Sequence, residues 1–332
     1  MKKTLIALTL AALPVAASAD VVLYGQIKGG VEVTKVKGEK GTTTNIVDYG
    51  SRIGFKGSEQ IGDNLKAIWQ LEQRVDIAGT AGRGFGTRDS FVGLRGDFGT
   101  VKAGHFQTPV ARLNGELDEW EHGDDSKAAG LDTFTRTTAA TGRKVALSYT
   151  TPEFSGLTAE LYVSPSDNNN KNKESAIYGT SVSYKHDAGF FADVAGVYVK
   201  NTTTVNGKSK DGYQALVQGG YNKDKLFAGL AYQHTKRVDE DVKSGHEVAA
   251  TVAYKFDDSL RVKASAAYGF GFKDEDGSKI YGNGKYYQGI VGADYALSKR
   301  TIVNGQVGYL NVGSGADKER QGTLSVGLVH KF

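Results

Sequence analysis

The 332-residue chain contains no cysteine, only four prolines, and one methionine, at its first position. Without thiols it can form neither disulfide staples nor thiolate nucleophiles. Beyond residue 19 there is no run of about 18 apolar residues, the length that a transmembrane helix needs. Charge of one sign is scarce as well. The 41 Lys and Arg face 37 Asp and Glu, a formal +4 that drops to +2 once Lys2 and Lys3 are set aside. That balance, with no basic cluster, excludes nucleic acid as a partner and argues against any strongly anionic one. What the chain does have is 44 glycines, 17 tyrosines and 14 phenylalanines, a composition suited to many strands.

The first residues stand apart. MKKTLIALTLAALPVAASAD opens on Lys2 and Lys3, runs through a short apolar stretch and closes on Ala17, Ser18 and Ala19. This is the pattern of a secretory signal peptide, residues 1–19, cut after Ala19. A membrane anchor fits poorly, because the stretch is short and Pro14 interrupts it. Residues 20–332 are therefore expected to work outside the cytoplasm. They read as one domain, since no linker of Pro, Ser or Gly bias divides them.

Within that domain the apolar residues recur every second position. In HEVAATVAYKF, Val248, Ala250, Val252, Tyr254 and Phe256 share one face, with Glu247, Thr251 and Lys255 on the other. LRVKASAAYGF repeats the arrangement. A helix would scatter these residues around its circumference, so the period of two predicts strands. Short turns such as GDFG, KHDAG and LSKR alternate with longer polar stretches such as VTKVKGEKGTTTNI, NTTTVNGKSKDG and KDEDGSKIYGNG. The segments between them number roughly 16, and an even set of antiparallel strands with such alternating connections is the pattern of an outer-membrane barrel. A soluble β-sandwich would need several units with boundaries between them. In a barrel every backbone group is paired around the ring while apolar side chains meet lipid and polar ones line a wet interior. A mean hydropathy of -0.37 suits that inversion. Tyr and Phe recur near strand ends, as at the edges of an apolar band. The ending TLSVGLVHKF aligns Leu324, Val326, Leu328, His330 and Phe332 on one face, and is expected to pair with VVLYGQIKGGVEV so that no edge stays open.

The blocks ALTLAALPVAASADVVLYGQIKGG, GSRIGFKGSEQIGDNLKAIWQLEQRV, RDSFVGLRGDFGTVKAGH, SYTTPEFSGL, ALSKRT and VGLVHKF, in this order, resemble the neisserial trimeric porins. The resemblance covers nearly the whole chain and fails mainly in the long loops. It implies an all-β, sixteen-stranded transmembrane barrel of the Gram-negative outer membrane, with short periplasmic turns and long extracellular loops. It also implies a homotrimer of passive diffusion channels for ions and small hydrophilic solutes, with no cofactor. Leu328, His330 and Phe332 look like the C-terminal signal read by the outer-membrane assembly machinery.

The stretch FQTPVARLNGELDEWEHGDDSKAAGLDTFTRTTAAT is too long for an ordinary connection. In the resembled porins this third loop folds into the lumen and narrows it. It carries Glu116, Asp118, Glu119, Glu121, Asp124 and Asp125, and the first three are by analogy the constriction acids. An acidic run taken alone is as readily a solvated tip. Opposite acids one expects a positive wall, because separated charges set up a field across the pathway. Strand parity and matching family positions give Lys28, Arg52, Arg74 and Arg143 for that wall. His105, in VKAGHFQ, stands where these porins often have arginine. Histidine of ordinary pKa is mostly neutral at pH 7, which predicts weak cation preference or little selectivity.

Enzyme motifs are weak. The six histidines show no metal-ligand spacing, GKS at Gly207 lacks the upstream glycine of a phosphate loop, and DEDG at Asp274 is a fragment of a calcium loop. Two other readings of the barrel stay open. One is an adhesin or structural barrel with a blocked lumen. The other is a sugar-specific channel, which would need an aromatic track inside.

Overall fold

The computed structural model describes residues 20–78, 86–120, 142–165, 176–205, 208–239, 242–280 and 282–332. The expected leader, 1–19, and loop residues 121–141 lie outside them. Among the described residues no helix is long and apolar enough to cross a membrane; the long elements are strands.

Sixteen antiparallel staves form one closed sheet. The first is β1 (Asp20–Val36). The second is shared by β2 (Thr43–Asp48) and β3 (Arg52–Gly62), both paired with β1. Then follow β4 (Leu65–Arg74), β5 (Ser90–Gly96), β6 (Gly99–Gln107), β7 (Arg143–Thr150), β8 (Leu157–Ser164) and β9 (Ile177–Lys185). The remaining staves are β10 (Phe190–Val205), β11 (Lys208–Lys223), β12 (Leu226–Asp239), β13 (Val242–Lys255), β14 (Leu260–Lys273), β15 (Tyr286–Ala296), β16 (Thr301–Val312) and β17 (Glu319–Lys331). Each pairs with its sequence neighbour, and β17 pairs with β1 from Gln26↔Lys331 to Val36↔Gln321. Past that register Phe332 still exchanges two backbone bonds with Gly25, 3.0 and 3.1 Å. The terminal strand is thus the last stave, and neither sheet edge is left to recruit another chain.

Alternation sorts the side chains as the inverted amphipathic pattern requires. Val217, Leu230, Val252, Val291, Leu324, Val326 and Leu328 are exposed outward, while Gln214, Gln218, Gln233, Thr251, Ser265, Gln306 and Ser325 are buried inward. Tyr254, Tyr268, Tyr287 and Tyr295 lie on the outer face. His330 is exposed and bonded to Thr301, its Nδ1 3.0 Å from Oγ1. One connection differs from expectation. NTTTVNGKSKDG reads as a loop, yet β10 runs to Val205 and pairs it with Lys208 of β11. The β-branched run at 202–205 has strand propensity enough to carry the hairpin past the apolar band.

The second stave breaks at Tyr49–Ser51, and local chemistry accounts for it. Asp48 Oδ1 accepts from the Gly50 and Ser51 amides at 2.7 and 2.8 Å, and Gly50 sits at φ +92°, where a side chain is disfavoured. Ser51 Oγ accepts from Lys28 N and donates to Lys28 O, so the interrupted ladder loses no bond. Tyr49 turns into the barrel and reaches Ser325 Oγ at 2.6 Å. It lies flat over Gly30 and Gly327, where an added Cβ would come within 2.8 Å of its ring.

Candidate functional site

The described first part of the third loop packs against the inner wall of the barrel. Helix α1 (Pro109–Leu117) begins where a helix should: Thr108 Oγ1 accepts from Ala111 N at 3.3 Å and Pro109 fills the first turn. Val110, Leu113 and Leu117 fall on one side at helical spacing, and all three are buried. They pack on the inward face of the wall that runs from β9 to β12, in one cluster with Phe106, Tyr162, Leu216 and Phe227. Polar ties fix the rotation. Asn114 Nδ2 donates to Gln233 Oε1 at 2.7 Å, Gln218 Nε2 donates to Leu113 O at 3.1 Å, and Arg112 Nη2 reaches Glu160 Oε2 at 2.9 Å.

Beyond α1 the chain is clamped to β14. Trp120 is buried, and its Nε1 donates to Ser265 Oγ at 2.8 Å. Lys263 is only 2% exposed. Its Nζ donates to Glu119 O at 2.7 Å, lies 4.9 Å from the centre of a Trp120 ring and pairs with Asp294 Oδ1 at 2.8 Å. That last contact is an ion pair whose angles fall outside hydrogen-bond geometry. The Glu119 carboxylate pairs with Arg261. Glu116 is half-exposed, 3.5 Å from Arg112 and 4.0 Å from Lys185. Burial pushes its carboxyl up from the usual carboxylate value, against the pull of Lys185 and Arg112. Asp118 Oδ1 accepts from Trp120 N at 3.2 Å, closing a local turn. The three acids singled out in the sequence thus lie along one segment on the inner wall, and two of them are salt-bridged to it.

The basic residues sit across the barrel on β1 to β7. Lys28 is buried on the inward face of β1. Arg52, Arg74 and the loop residue Arg88 gather around two carboxylates. Arg88 Nε is 2.5 Å and Arg52 Nε 3.6 Å from Glu72, which also accepts from Tyr24 at 3.0 Å, and Arg74 is 3.9 Å from Asp48. Arg143 has the register of exposed Leu147, yet its Nε donates to Asp89 Oδ1 at 2.6 Å. His105 stands apart from this group. It pairs with Ser90 and Val145 on the strand face of Ala103, opposite Phe106, and its Nδ1 lies 3.3 Å from Arg88 O. The inward cation of β6 is Lys102, whose Nζ is 5.2 Å from the Phe91 ring centre and 4.8 Å from that of Phe106.

Sequence reasoning missed Lys56, Lys102 and Arg88, and it missed α1. The helix was signalled by Thr-Pro followed by apolar residues at 110, 113 and 117. Lys56 shares the parity of Arg52, and Lys102 opposes His105 in VKAGHFQ. Phe91, Phe106 and Tyr162 also form an inward edge-to-face line, with centroids 6.2 and 5.6 Å apart. Among the described residues no three His, Asp or Glu gather as a metal site, and Asp274 Oδ1 only accepts from Ser278 N in its own turn.

Comparison with known proteins agrees with this architecture. The family model described as Gram-negative porin matches residues 4–314. The major outer membrane protein P.IB of Neisseria lactamica is 41% identical over the whole of both chains. The fold is shared with the anion-selective porin from Comamonas acidovorans, at TM-score 0.76 and 22% identity, over 95% of this chain and 100% of that one. It is shared too with OmpT of Vibrio cholerae in its trimer form, at TM-score 0.68 and 16% identity, over 95% and 99%. A closed, polar-lined barrel spanned by strands, matched by the family model over nearly its full length, leaves one assignment: the chain belongs to the Gram-negative porins, non-enzymatic outer-membrane channels for passive diffusion.

Proposed function

We propose that each barrel is a water-filled channel narrowed by its third loop, and that three copies assemble in the outer membrane. The observation that carries this reading is α1 packed on the inner wall through Val110, Leu113 and Leu117 and tied there by Asn114 and Gln218, with Glu116 left partly exposed. A loop held by Asn114, Arg112 and Trp120 reduces the cross-section without sealing a barrel of sixteen staves. Arg52, Arg88 and Arg143 are each partnered by a carboxylate, so the field they project across the pathway is weak. Little charge selectivity follows, with solutes chosen by size. The trimer rests on the resemblance to neisserial porins and on the trimer form of OmpT. Removal of residues 1–19 and recognition of the Leu328, His330, Phe332 face by the assembly machinery belong to the same reading.

Planar-bilayer recording tests it. Purified protein should insert with conductance steps in groups of three and a reversal potential near zero in a potassium chloride gradient. A reversal potential approaching the chloride limit overturns the selectivity. Silent membranes favour the blocked-lumen barrel instead.

A further inference from the structure

On the short-turn half of the lumen, β1, β3, β4 and β5 enclose a recess of about 390 Å³, and none of the described residues of loop three lines it. Its floor is apolar: strand register puts Val22 on the face of Lys56, Ile68 on that of Ser58 and Phe91 on that of Lys102, all inward. Ser58 and Gln70 offer hydrogen bonds, and exposed Lys56 and Arg95 flank it. Lys102 stands over the far side of the Phe91 ring. Above the recess every described arginine on this wall has a carboxylate partner. Here, among the described residues, no ion pair joins Lys56, Arg95 or Lys102 to an acid. Arg95 Nε donates to Thr100 Oγ1 at 3.3 Å, and Lys56 Nζ lies 5.1 Å from the Tyr24 ring centre, so both cations are oriented yet not neutralised.

An apolar floor between unneutralised cations suits neither a plain inorganic anion, which gains nothing from Phe91, nor a sugar, which gains nothing from the charges. We propose that this recess is a binding site for amphiphilic organic anions, an aryl or branched-chain carboxylate whose body lies on Val22, Ile68 and Phe91 while its charge meets Lys56 and Arg95. A recess of this size matches the lower end of small-molecule sites. The proposal rests on the open-channel reading for its entry route, not for its chemistry.

Phenylacetate is the probe, with acetate and benzylamine as controls. Added to a conducting trimer, phenylacetate should block chloride current saturably, at a concentration about tenfold below any effect of acetate, while benzylamine has none. The pair Lys56→Gln and Arg95→Gln should raise the blocking constant about tenfold, and Phe91→Leu should weaken phenylacetate more than acetate. Equal block by acetate and phenylacetate, or block unchanged in the double variant, overturns the site. Saturation-transfer NMR on the full-length protein in detergent reads the same contact without current. If bilayers stay silent but the phenyl protons receive saturation that Lys56→Gln with Arg95→Gln abolishes, the channel reading falls and the recess stands. If they receive none, the recess falls.

Discussion

Lys263 shows how a charge is kept inside a barrel wall. A buried ammonium is tolerated when several partners replace water at once, and here a carboxylate, a backbone carbonyl and an indole face do so. Removing the cation alone strands Asp294, so Lys263→Met should cost about 3 kcal/mol, read as a lower urea midpoint, and adding Asp294→Leu should recover much of it. Glu116 has the opposite problem. Its carboxyl is pushed up by burial, so the folded state binds its proton more tightly than the unfolded state does. The charged form therefore costs stability above the folded pKa, and that cost disappears on acidification. Glu116→Gln should raise the urea midpoint near pH 7 and lose its advantage by about pH 4. A variant equally stabilised at both values would locate the effect outside this titration.

At the scale of elements, α1 and the segment after it form a strut. The helix is too short to persist in water by itself, and it holds because Val110, Leu113 and Leu117 bury against the wall while Trp120 pins the far end. Trp120→Ala should release that end without unfolding the barrel. We expect noisier and larger single-channel currents at nearly unchanged heat stability of the protein; quiet currents of normal size would show that the Trp120 anchor does not bear on the pathway. The broken second stave is a different device. Ser51→Ala takes the hydroxyl acceptor from the Lys28 amide in a buried site, while the Lys28 carbonyl keeps the Tyr49 amide, and should cost about 1 to 3 kcal/mol in urea unfolding.

For the whole molecule the critical line is the seam between β1 and β17, because a barrel stable in lipid has no spare edge. Deleting Phe332 removes two backbone bonds to Gly25 and the ring that covers it. The shortened protein should fold more slowly from urea into detergent micelles and yield fewer heat-resistant oligomers on gels; unchanged folding would confine Phe332 to recognition by assembly factors.

How much of this was legible beforehand follows from range. Period-two alternation, the turn residues and the apolar ending are local, and they determined an inside-out barrel of roughly 16 strands before any contact was known, with the number sixteen implied by the resemblance to neisserial porins. Parity, together with the matching family positions, put Lys28, Arg52 and Arg74 on inward faces. It did not reveal that Arg52 shares Glu72 with Arg88, that Lys102 and not His105 is the inward cation of β6, or that Glu119 is tied to Arg261. Those pairings join residues far apart in the chain, and they depend on which staves become neighbours when the sheet closes. Alternation tells each side chain which way to face; only ring closure and the docking of the third loop decide what it meets there.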